Sequence, residues 1–118
     1  MSENLPILDL PEALNRSLGD AQFLQMMLEE FQKTIPEFLE RFENALRDQD
    51  MECVGRDAHQ FKGAAANLGI KTVAALALEL ENTGKNGDSA YAAQTLTRLK
   101  TELEKFKQEL AAIDWSSL

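Results

Sequence analysis

The sequence predicts an all-α domain, an antiparallel four-helix bundle carrying a short additional N-terminal helix. Three observations lead there. Apolar residues recur every three or four positions through most of the chain, strand-like alternation is absent, and the breaks between periodic segments are short. The 118 residues are room for one domain spanning 1–118, and they contain only three prolines and six glycines. No internal repeat, low-complexity stretch or linker interrupts them.

Each element has its own start and stop signals. Asp9-Leu10-Pro11-Glu12 reads as a helix start, with Asp9 as cap and Glu12 at the capping-box position. Leu10, Leu14 and Leu18 form a short stripe closed by Gly19. Asp20 caps a long segment whose apolar set is Leu24, Met27, Leu28, Phe31, Ile35, Phe38, Phe42 and Leu46. Pro36 removes one backbone donor from it and predicts a kink or restart near Thr34, with both halves facing one core because the stripe keeps phase. After the turn Asp48-Gln49-Asp50, a third segment runs from about Asp50 to Leu68, with Val54, Ala58, Phe61, Ala65 and Leu68 inward and Gly69 as its stop. Thr72 is the expected cap of a shorter helix with Val73, Leu76 and Leu80 inward. Thr83 to Asp88 reads as a loop by composition. Asp88 or Ser89 then opens a last helix marked by Ala92, Leu96, Leu99, Leu103, Phe106, Leu110 and Ile113.

Composition narrows the function classes. Twelve basic against twenty acidic residues give a formal charge of −8, and no basic block occurs, so nucleic acid and anionic membrane are excluded as main partners. One cysteine excludes an internal disulfide and a Cys-rich zinc site, and one histidine excludes multi-His metal motifs. Apolar runs are too short to span a bilayer, and the first ten residues lack the pattern of a signal peptide. The expectation is a cytoplasmic, monomeric protein. Cys53 and the phenylalanines at 31, 38, 42, 61 and 106 read as core or boundary residues, and Trp115 as packing on the bundle.

The single histidine, His59, lies on the third segment about 100° around the helix from inward Ala58. Gly55, Arg56, Lys62, Gly63 and Ala66 share its side. A lone helical histidine is ordinarily a polar surface residue or a hydrogen-bonded core one. Here a mid-helix Gly63, which costs about 1 kcal/mol against alanine, leaves room for another molecule to approach the ring. Lys62 places a cation near any anion the ring carries. Each residue also has a structural reading, Gly63 as a close helix contact and Lys62 as a solvated charge. Together they read better as a site that accepts and releases a phosphoryl group.

The stretch His59-Gln60-Phe61-Lys62-Gly63-Ala64-Ala65-Ala66-Asn67-Leu68-Gly69 resembles the signature of histidine-containing phosphotransfer (HPt) domains of multistep two-component phosphorelays. Phe61 stands where the family usually has leucine. The downstream Leu80-Glu81 with Gly84-Lys85 and Gly87-Asp88, and the upstream Phe31, Pro36 and Leu39, are similar to the family's neighbouring segments. The resemblance implies that Nε2 of His59 carries the phosphoryl group and that Glu81, from the adjacent helix, holds the other ring nitrogen. The alternative for Glu81 is an exposed acid paired with Lys85. Lys85 matches a place where some relatives carry a basic residue near the phosphoryl group. Arg56, Lys62, Gly63, Ala66 and Lys85 are the expected partner-binding residues.

No P-loop and no kinase ATP-binding boxes are present. The resemblance therefore implies a phosphoryl carrier with no cofactor and no metal of its own. The group would come from a receiver-domain aspartate or a hybrid sensor histidine kinase and pass to a response-regulator receiver, with Mg2+ on that partner receiver. Two other readings are a non-catalytic helical adaptor that binds receiver or other signalling domains, and a small acid–base enzyme using His59 with Glu81.

Overall fold

The computed structural model describes residues 5–118. The first four positions of the leader reading lie outside the described residues. Five α-helices follow in order: α1 (Leu10–Arg16), α2 (Ala21–Arg47), α3 (Met51–Asn67), α4 (Lys71–Asn86) and α5 (Ser89–Ala112), with a closing 3-10 turn at Trp115–Ser117. Helices α2 to α5 form the bundle: α2 packs on α3 and α5, and α4 on α3 and α5. No helix of the described residues is long and apolar enough to cross a membrane.

Aspartates begin four of the five helices. Asp9, Asp20, Asp50 and Asp88 each accept from the backbone N–H three residues on, satisfying a donor that the first turn leaves free. α4 departs from this pattern and from the sequence expectation. Its cap is Ile70, with no side-chain cap bond, and Thr72 lies inside the helix with its hydroxyl buried and unpartnered. The N-terminal segment supplies what a capping side chain would have: Lys71 N–H donates to the Ile7 carbonyl at 2.8 Å, and Asp9 N–H to the Gly69 carbonyl at 2.8 Å. Gly69 turns the chain at φ +74°, close under the Asp9 carbonyl.

Four further expectations are corrected. Of the kink or restart expected near Thr34, the restart does not occur: α2 is one helix of 27 residues that runs through Pro36. The ring costs one hydrogen bond on the exposed side, but the apolar stripe on both sides of it docks on a single core and holds the helix together. Leu18 leaves its stripe: α1 ends at Arg16, Leu18 takes φ +56°, and its side chain is 95% exposed, while Ala13 supplies the buried contact. The stretch from Thr83 to Asn86 is helical rather than a loop, and α4 stops only at Gly87, with φ +72°. Glu12 does not close a capping box with its carboxylate, which pairs with Arg16 at 3.1 Å and Lys71 at 2.6 Å.

The core is centred on aromatic rings. Phe61 of α3 meets Phe31, Phe38 and Phe42 of α2 with centroids 4.9 to 6.0 Å apart, and Phe31 meets Phe106 of α5 edge-on at 5.8 Å. Phe42, Phe61 and Phe106 are fully buried, whereas Trp115 packs against the core while remaining partly exposed. Phe61 is two positions beyond His59, so burying its ring turns His59 outward on the opposite side of α3.

Candidate functional site

The His59 side chain is 68% exposed, and Glu81 of α4, 7% exposed, lies beneath it. Glu81 Oε2 is 2.9 Å from Nδ1 of His59, while Oε1 accepts from Nζ of Lys62 at 2.9 Å. Nζ of Lys85, one turn along α4, is 3.5 Å from Oε2. One buried carboxylate thus serves an imidazole and two ammonium groups, so the reading of Glu81 as an exposed acid fails.

Charge and burial oppose each other at Glu81. The Lys62 ammonium, helped by the His59 contact, holds the carboxyl below the usual glutamate range, although burial alone would raise it. An ionised carboxylate only accepts, so the 2.9 Å contact is an Nδ1–H donating to Oε2. With the ring proton fixed there, the neutral imidazole presents an unprotonated Nε2 on its exposed side.

The remaining candidate residues sort by position. Gly63 is exposed, and a Cβ built on it meets nothing within 4 Å, so the helix surface beyond His59 is open. Ala66 is exposed on the same helix. Arg56 is exposed one turn before His59, with Nη2 3.5 Å from Sγ of Cys53, and is not among the groups on Glu81. An open groove beside His59 is lined by Gly55, Arg56, Glu81, Gly84 and Lys85. A wider concavity of about 580 Å³ lies elsewhere, between the N-terminal segment, α4 and α5. Its charges are spent on one another, Arg98 with Glu79 at 3.0 Å and Lys105 with Glu102 at 3.1 Å.

Two features near the site were not anticipated from the sequence. Asp57 of α3 is buried, its Oδ2 accepting from the Cys53 thiol at 3.4 Å. Burial first, and Asp57 second, push that thiol's pKa up. The second feature is the backbone contact of α3 and α4 at Gly55 and Gly84. The sequence signals it weakly: Gly55 lies in a segment of helical pattern, but Gly84 lies in the stretch whose composition reads as a loop.

The family described as Hpt domain matches residues 26–109. The crystal structure of histidine-containing phosphotransfer protein B from Pseudomonas aeruginosa PAO1 superposes with a TM-score of 0.80 at 25% sequence identity, covering 92% of this chain and 97% of that one. No curated protein matches the chain. With most of α2 and all of α3 and α4 inside the matched region, the chain belongs to the Hpt domain family, whose work is histidine phosphotransfer in phosphorelay signalling.

Proposed function

We propose that His59 is the phosphoryl acceptor and donor of this Hpt domain. The observation that carries the reading is the 2.9 Å contact between Nδ1 and Glu81, which leaves Nε2 as an exposed nucleophile. The Nε2 lone pair attacks the phosphorus of a receiver aspartyl phosphate. An N–P bond forms, the P–O bond to the aspartate breaks, and the aspartate leaves as carboxylate. The ring gains positive charge while Nδ1 keeps its proton, and the Glu81 carboxylate lies against that charge. Running the step backwards delivers the group to the next receiver.

In this reading Lys62 and Lys85 keep cationic charge beside the incoming group, while Arg56, Gly63 and Ala66 belong to the face that the receiver meets. The chain acts over its whole length as one cytoplasmic carrier domain. It makes no ATP-dependent phosphorylation of its own, and the divalent cation of the reaction belongs to the receiver.

The test is to offer the protein a panel of phosphorylated receiver domains and follow the label. Uptake that is acid-labile, alkali-stable and lost in His59→Gln is expected. Label retained by His59→Gln at the wild-type level would overturn the assignment. Receiver binding without uptake by the wild-type chain would favour the adaptor.

A further inference from the structure

We infer that Gly84 is a positioning residue for His59: its missing side chain lets α4 touch the backbone of α3, and that contact sets Glu81 at hydrogen-bonding distance from Nδ1. The inference rests on the phosphotransfer role of His59 and adds the device that tunes it.

A Cβ built on Gly84 would lie 2.5 Å from the Gly55 nitrogen, 2.7 Å from the Gly55 Cα and 2.9 Å from the Met51 carbonyl oxygen. These are backbone atoms of α3, which cannot swing aside as a side-chain tip can. The closest is about 1 Å short of an ordinary van der Waals separation. The glycine is not required by backbone conformation, because the positive-φ glycines are 19, 69 and 87. In a helix it costs about 1 kcal/mol against alanine, and close packing is what that cost supports. The contact is asymmetric. A Cβ on Gly55 would meet the Glu81 carbonyl oxygen at 3.6 Å and the Gly84 Cα at 3.8 Å, both ordinary distances.

The position of the contact connects it to the chemistry. Glu81 precedes Gly84 by one turn on α4, and His59 follows Gly55 by one turn on α3. In antiparallel helices these two steps run the same way, so the His59–Glu81 bond is the next rung above the glycine crossing. A separation of about 1 Å at the crossing carries to that rung and takes a 2.9 Å bond out of range. The turn below resists unwinding instead: Thr83 is buried with its hydroxyl on the Leu80 carbonyl at 2.8 Å, and Asp88 N–H donates to the Thr83 carbonyl at 3.2 Å.

The experiment compares Gly84→Ala, Gly55→Ala, Glu81→Ala and the Gly84→Ala/Glu81→Ala double variant. Two quantities are read: the tautomer of the single imidazole, by nitrogen-15 NMR at a pH where it is neutral, and the rate of phosphoryl uptake from a phosphorylated receiver. Gly84→Ala is expected to release the Nδ1–H tautomer and slow uptake about tenfold, the usual scale for losing an orienting partner. Gly55→Ala keeps the wild-type tautomer. In the double variant Gly84→Ala adds no further loss, because the bond it acts through is already gone. Should Gly84→Ala prove poorly folded, the tautomer is read in a Gly63→Ala background, which helix propensity stabilises.

A wild-type tautomer in Gly84→Ala, with the last turn of α4 yielding instead, would overturn the inference, as would losses that multiply in the double variant. Absence of uptake by the wild-type chain would fail the acceptor assignment alone, since the tautomer arm needs no phosphoryl donor.

Discussion

The ring of Phe61 stacks on Phe31 across the α2–α3 interface, with centroids 5.3 Å apart and planes 28° from parallel. It is the buried counterpart of His59, two residues away on the other side of α3, and it stands where the family pattern usually has leucine. α2 fits the larger side chain by surrounding it with three of its own rings, Phe31, Phe38 and Phe42.

That environment sets the first prediction. Phe61→Ala should destabilise the fold by about 3–5 kcal/mol through the cavity left among the three rings that Phe61 packs against. Phe61→Leu, with smaller volume loss, should cost less, on the order of 1–2 kcal/mol. Urea unfolding measures both. At full folding Phe61→Leu should retain phosphoryl uptake, because the exposed face of α3 is untouched; a leucine variant as costly as the alanine one would refute the packing account.

Gly63 is predicted to behave in the opposite way from Gly84. Its Cβ position is open, so Gly63→Ala should raise stability by about 1 kcal/mol. Gly63→Gln should fold with unchanged helix content, yet lose most receiver docking and transfer by steric block. Thermal melts paired with transfer rates separate the two effects. A Gly63→Gln variant that unfolds, with normal transfer per folded molecule, would make Gly63 a packing residue.

The helices were legible because their signals are local. Aspartate caps and the three-four apolar spacing of α2, α3 and α5 depend on near neighbours in sequence, and the motif around His59 is one continuous run of sequence, helical from His59 to Asn67 and closed by Leu68 and Gly69. The errors fall where a distant contact outweighs a local preference. Thr72 is a better cap than Ile70 by side-chain chemistry, but the N-terminal segment already occupies that helix end. Thr83 to Asn86 reads as a loop because Gly84 and Asn86 are poor helix formers, while its helicity comes from packing on Gly55. Glu81 illustrates the same limit. The family pattern pointed to its place, but its burial and its simultaneous hold on Lys62 follow from how closely α4 approaches α3.

Cys53 should be a sluggish thiol. Burial and the neighbouring Asp57 carboxylate both raise its pKa, so little thiolate exists near neutral pH. Alkylation by iodoacetamide should therefore be slower than for a free cysteine at the same pH. Asp57→Asn should speed it severalfold by removing the second of these causes while leaving burial in place. Equal rates before and after substitution would show that the carboxylate does not act on the thiol.

The last prediction follows from the lowered pKa of Glu81, produced chiefly by the Lys62 hydrogen bond with His59 adding to it. A carboxyl whose folded pKa lies below its unfolded one binds protons more readily in the unfolded chain. Its contribution to stability is therefore complete above the unfolded glutamate pKa, about 4.3, and is lost as pH falls through the folded value. Glu12, lowered first by its hydrogen bond to Lys71, adds to the same acid limb, so the wild-type slope alone does not isolate Glu81. The difference between wild type and Glu81→Gln does. Unfolding free energies measured by urea from pH 7 downward should show the wild-type advantage constant near neutrality and shrinking below about pH 4.3. An advantage independent of pH across that range would mean that Glu81 stabilises the fold through its shape and hydrogen bonds rather than through its charge.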